Sequence, residues 1–201
     1  FTARYDGSSR FAKGKQWGFF PSAAFAWRVK SEPFLRDSRV VSDLKLRLGW
    51  GKTGQQDTGK EYYTPAYKRT VTTDHLYPVG PDNDGTLSKP EVYNTELTWE
   101  TTTPYNIGLD YGMFDQRLTL NVDAYLRKTT DLLCTPTIPA GQTFDNKMML
   151  NAGSLENKGI EIAISGKPVQ TKDWFVDLGV NVAYNKNKIT ELYGGKDVIS
   201  G

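Results

Sequence analysis

The 201-residue chain has one cysteine, one histidine, almost no net charge and no long apolar run. With Cys134 alone, no internal disulfide is possible, and no base lies near it in sequence to make it a nucleophile. With His75 alone, a histidine-based metal cluster cannot be assembled, and no catalytic residue, metal site or cofactor motif is predicted. The 25 basic and 23 acidic side chains leave +2, so nothing in the charge balance points to nucleic acid. A helical membrane protein is excluded, because a spanning helix needs about 20 consecutive apolar residues. No secretory leader or lipidation motif is present either. What the chain does have is aromatic residues, 12% in all with eleven Tyr and five Trp, which suit the belts where lipid meets water.

The second positive feature is alternation. From Tyr105 to Met113 every odd position is apolar or aromatic and every even one is polar or Gly. After a turn at residues 114–117, Leu118, Leu120, Val122 and Ala124 are apolar while Asn121 and Asp123 are polar. A period of two predicts a hairpin with one greasy and one wet face, and Asn106, Asp110, Asn121 and Asp123 are too polar for a sandwich core. The greasy side, with Ile107, Leu109, Met113, Leu118, Val122 and Ala124, is expected to face lipid.

Seven strands are predicted, over residues 1–5, 17–28, 44–50, 94–113, 117–133, 155–167 and 174–184. Pro21 lacks a ladder donor and is expected to mark a bulge or break in the second, and residues 33–35 carry a short helical turn. Short turns at 114–117 and 168–172 alternate with long connections at 55–92 and 135–149, the rhythm of a transmembrane barrel. The fold class is therefore all-β, an antiparallel up-and-down transmembrane barrel segment. The chain starts mid-pattern and ends just after a strand, so residues 1–201 are expected to form one internal segment of a longer barrel domain. A soluble β-sandwich that binds glycans is the alternative reading of the same composition.

Several stretches carry a family resemblance in one order along the chain. They are DGSSRF at 6–11, WGFFPS at 17–22 with AWR at 26–28, and LKLRLGWGKTG at 44–54. Beyond these come LTWE at 97–100, NIGLD at 106–110, DAY at 123–125, TDLL at 130–133 and NAGSLENKGIE at 151–161. Together they resemble the barrel of SusC/RagA-type TonB-dependent outer-membrane transporters of Bacteroidetes. The resemblance implies a barrel of about 22 strands around a plug domain, of which these strands form a sector without the plug. It also implies a Gram-negative outer-membrane location, uptake of oligosaccharides or peptides, energy supplied through TonB, and a SusD-like surface lipoprotein as partner.

Within the long connection, Tyr62, Tyr63, Tyr67, His75 and Tyr77 are the candidates for contact with substrate or partner, since flat rings beside polar groups bind sugars and peptide side chains. The competing reading is that they pack the loop on itself. Asp82, Asn83, Asp84 and Gly85 read as a turn rather than a calcium loop, for the later bidentate Glu is missing. Glu96, Glu100 and Asp110 read as lumen or loop-base carboxylates rather than a glycosidase pair.

Overall fold

The computed structural model describes residues 1–59, 61–70, 87–139 and 147–192. His75, Tyr77 and the turn at residues 82–85 lie outside them. Long strands carry the architecture: β1 (Thr2–Gly7), β2 (Trp17–Arg28), β3 (Val41–Gly51) with its short continuation β4 (Thr53–Gln55), and, further along, β7 (Glu100–Met113), β8 (Leu118–Thr130), β11 (Ser154–Gln170) and β12 (Phe175–Glu191). Two small ribbons lie between them, β5 (Tyr67–Thr70) on β6 (Leu87–Pro90) and β9 (Leu133–Cys134) on β10 (Leu150–Asn151). One helical turn, α1 (Pro33–Arg36), falls where the sequence places it.

The long strands form one antiparallel sheet in the order β1-β2-β3-β7-β8-β11-β12, each beside its neighbour in the chain. Register makes the two faces continuous. Trp27, Leu46, Leu109, Val122, Ile162 and Val182 oppose one another in a single row across six strands. The adjacent row is Phe25, Leu48, Ile107, Ala124, Ile160 and Tyr184. No second sheet covers this side among the described residues, and Phe25, Ile107, Val180 and Val182 are each at least half exposed. A slip of one residue in any strand would put its apolar set among Arg47, Asp110 and Asp123 on the opposite face, so the pattern itself specifies the register.

Several boundaries differ from the sequence reading: β3 begins at Val41 rather than 44, β8 ends at Thr130 rather than 133, and the turn expected at 168–172 falls at 171–174 because β11 runs on to Gln170. The break expected at Pro21 does not interrupt β2, which runs unbroken through it opposite Ala3. The consequence appears in the neighbour instead: β2–β3 pairing ends at Ser22–Gly51, where the next N–H is missing, and the Pro21 carbonyl accepts from Lys52 N at 2.8 Å. The fourth long strand begins at Glu100, not at 94, because Leu97 and Trp99 are buried under loops. The last strand runs on to Glu191 past the expected 184, held by pairing with β11 although residues 185–188 have no apolar alternation.

The connections at 8–16, 56–99 and 131–153 leave one end of the sheet; the tight turns at 114–117 and 171–174 and the connection at 29–40, which carries α1, lie at the other. The first of these turns puts Phe114, Asp115 and Gln116 in consecutive left-handed conformations, at φ of 51°, 51° and 64°. Phe114 N and Gln116 N are tied to Val40 O at 3.0 Å and Ser42 Oγ at 3.3 Å, which hold the turn against the start of β3.

Candidate functional site

The polar face is built from cross-strand reaches over glycine. Arg47 on β3 opposes Gly108 on β7, which opposes Asp123 on β8. Neighbouring strands are about 4.8 Å apart, and a glycine between them leaves the guanidinium free to lie across β7. Arg47 Nη2 donates to Asp110 Oδ1 at 2.8 Å and to Asp123 Oδ2 at 2.9 Å, and its Nε donates to Asp110 Oδ2 at 3.0 Å. One cation thus ties three strands together and satisfies two carboxylates, bidentate toward Asp110.

The same device recurs two strands along. Tyr125 on β8 opposes Gly159 on β11, which opposes Asn185 on β12. The Tyr125 ring lies over the glycine, its hydroxyl bonds to Asn185 Oδ1, and the Arg127 guanidinium sits 5.3 Å from the ring centre. Asn157 Nδ2 donates to Asn187 Oδ1 in the next row. The result is a wall of amide, phenol and paired charge.

A side chain at either glycine would fill the space these reaches use. A Cβ on Gly108 would stand 2.5 Å from Asp123 Oδ1 and 2.6 Å from Arg47 Cζ. Gly108→Val is therefore expected to destabilise the barrel by about 1–3 kcal/mol, as overpacking does. At Gly49 a Cβ would meet Asn106 at no closer than 3.7 Å, so Gly49→Ala is expected to be silent. Unfolding midpoints of the whole protein carrying each change provide the check.

At the loop end the polar face is capped by a small apolar core. Phe11 and Leu97 are fully buried there, with Phe20 from β2 and Trp99 nearly so. Trp99 lies edge-on to Phe20 at 5.3 Å and tilted to Phe11 at 5.4 Å, and its indole N–H donates to Gln16 O at 3.2 Å. Polar pins close the cap. Asn151 Nδ2 donates to Thr98 O and Asp131 O, and its Oδ1 accepts from Thr98 N. Lys15 pairs with Glu96 and Arg10 with Asp57, and these hydrogen-bonded cations hold both carboxyls below the usual carboxylate range. Glu100 Oε2 accepts from Leu133 N at 3.0 Å. Burial pushes the Cys134 thiol up, and Sγ donates to Ala152 O. A thiol so held is a weak nucleophile.

The candidate tyrosines divide between two environments. Tyr62 is half-buried against the apolar cap, and its carbonyl accepts from Asn94 N at 2.6 Å. Tyr63 is half-buried as well. Tyr67 opens β5 opposite Pro90 and is 72% exposed. Among the described residues no group of His, Cys, Asp and Glu is arranged to hold a metal ion. Sequence reasoning placed Asp110 and Asp123 on the polar face but missed their shared cation. The available signal was Arg47 on the polar side of a strand whose even positions are apolar, followed by a glycine on the matching face of the next strand.

A two-faced, loop-capped sheet of this kind is the wall of a membrane barrel. Residues 1–200 match the family described as TonB dependent receptor-like, beta-barrel, and the chain belongs to that family. It is 50% identical over 199 residues to the TonB-dependent receptor SusC of Bacteroides thetaiotaomicron, covering 98% of this chain and 20% of that protein. It is 35% identical over 199 residues to the TonB-dependent receptor P3 of Formosa agariphila, covering 98% of this chain and 19% of that protein. In three dimensions it superposes on the RagAB peptide importer in its closed-closed state with a TM-score of 0.83 and 27% identity, covering 98% of this chain and 22% of that one. The chain thus spans about a fifth of the length of the relatives it matches. It is a sector of a larger SusC-like barrel located in the outer membrane. The apolar face is the lipid face, and the polar face lines the lumen.

Proposed function

We propose that this chain is one wall segment, with its extracellular loops, of a TonB-dependent importer of oligosaccharides or peptides. Residues 1–201 belong to a single barrel domain whose plug lies outside them. The observation that carries the reading is the lumen face itself. Arg47 holds Asp110 and Asp123 together, a trio with one net negative charge, while Tyr125, Asn157, Asn185 and Asn187 supply neutral hydrogen-bonding groups. A passage of that chemistry, in which amide and phenol groups stand among paired charges, suits cargo rich in hydroxyls or amides. The 50% identity to SusC and the likeness to a peptide importer support transport by the whole protein, driven through TonB. A SusD-like surface lipoprotein is the expected partner at the loop end.

The short turns at 114–117 and 171–174 face the periplasm in this reading, and the connection at 56–99 stands on the cell surface. Tyr67, exposed at the start of β5, is the described tyrosine best placed to touch cargo or lipoprotein, while Tyr62 packs the loop. His75 and Tyr77 remain candidates from sequence. A well-packed aromatic contact is worth about 0.5–1.5 kcal/mol beyond its area, so Tyr67→Ala is expected to weaken uptake roughly threefold to tenfold. Uptake of labelled glycan and of labelled peptide by cells with the full-length protein, with and without TonB, tests the reading and separates the two cargoes. A protease site inserted beside Asp84 tests the orientation. Cleavage on intact cells is the expected result; protection there would invert the barrel, and TonB-independent uptake would sink the transport reading.

A further inference from the structure

The lipid face is almost free of charge, and most of its few ionised groups are gathered in one place. Along the regularly paired positions of the long strands, the apolar side carries only Lys128, Glu156, Lys158, Lys186 and Lys188 as charged residues. Lys128, Glu156 and Lys188 stand opposite one another across β8, β11 and β12. Lys158 and Lys186 form the next row toward the membrane centre, beside Leu126. Rows on one face are about 6.6 Å apart and strands about 4.8 Å, so four ammonium groups share a patch about the size of a lipid headgroup. All four lysines are exposed, and the Lys158 Nζ lies 3.6 Å from Glu156 Oε1. One carboxylate against four cations leaves +3.

Position decides what such a patch meets. Below it run the apolar rows of Ile160 and Tyr184, then Ile162 and Val182, then Ile164 and Val180. The lysines therefore stand where hydrocarbon ends and headgroups begin on the long-loop side. Snorkelling alone would scatter lysines around the rim of the wall, whereas β1, β2 and β7 carry none at this level of the same face and the junction of β3 and β4 carries only Lys52, two strands from Lys128. Next to the patch is an open depression of about 590 Å³ on the apolar face, where the small Ala23 and Ala124 lie among Phe25, Trp50, Tyr105 and Leu126. Leu126 borders both the depression and, two residues along β8, Lys128.

We propose that this face holds a phosphate-bearing lipid of the long-loop leaflet. Its phosphate is bound by Lys128, Lys158, Lys186 and Lys188, and an acyl chain lies in the depression beside Leu126. The inference rests on the assignment of the lipid face and is independent of the cargo. Glu156 tempers the site, holding Lys158 when no phosphate is present.

The test uses the full-length protein, stripped of lipid and then offered phosphatidylglycerol and phosphatidylcholine of identical chains, with bound lipid counted by native mass spectrometry. The expected result is a preference for phosphatidylglycerol that weakens as salt is raised. It should fall about fivefold for each contributing lysine removed in a Lys128→Gln, Lys158→Gln, Lys186→Gln, Lys188→Gln series. Glu156→Gln should raise it. The pair Lys167→Gln and Lys172→Gln, at the opposite end of the sheet, should leave it unchanged. If the fourfold variant does not fold, Lys158→Gln and Lys188→Gln are measured singly. No preference in the native protein, a preference that survives the lysine changes, or an equal loss in the Lys167–Lys172 pair would each overturn the proposal.

Discussion

Val122→Arg is expected to destabilise the assembled barrel by about 2–4 kcal/mol, the cost of a charged side chain on a lipid face near the bilayer midplane. Val122 stands in the row of Leu46, Leu109, Ile162 and Val182, with apolar rows on either side along the strands. No acid on this face lies within those rows to receive the guanidinium, since Glu156 is three rows away. The neighbouring Asn121 points to the lumen opposite Asp110, where water and carboxylates meet a cation. Asn121→Arg should therefore cost little, and the contrast between adjacent residues is the informative quantity. Folding yield into lipid vesicles, followed by the shift in electrophoretic mobility of the folded barrel, measures both. Equal penalties at 121 and 122 would mean that the two faces do not separate lipid from water.

Trp99→Ala is expected to cost about 3–5 kcal/mol locally, the range for truncating a large buried aromatic. The indole joins Phe11 from one loop, Phe20 from β2 and Leu97 from its own segment, so its loss removes the shared contact of all three. The Trp99–Gln16 hydrogen bond goes with it. Because the cap lies outside the paired rows of the sheet, strand protection should persist while residues 8–16 and 94–99 lose theirs. Hydrogen exchange of the whole protein resolves the two regions. Unchanged exchange in both loops would show that polar pins such as Asn151 and Lys15 hold the cap alone.

Much of the wall was legible from sequence because membrane barrels write their physics in period two. Ile107, Leu109, Val122 and Ile162 alternate with polar neighbours, and that pattern alone assigned faces, strand number and the ends with short and long connections. The pattern failed where the environment ceased to alternate. Leu97 and Trp99 mimic a strand, yet they are buried by loops that return over the lumen face. Beyond Tyr184 both sides of β12 are polar through residue 188, so residues 185–188 gave no signal, and only pairing with β11 makes them a strand.

The candidate site follows the same division. The one-sided chemistry of the wall and the aromatic loop are properties of residue order, and the sequence by itself determined them. The reach of Arg47 over Gly108 to Asp123, the cap that takes Tyr62 while leaving Tyr67 outside, and the gathering of four lysines in two adjacent rows were decided by tertiary structure. Each depends on which residue of one strand stands opposite which residue of the next. That register is set cooperatively by every apolar row in the sheet, and no single strand contains it.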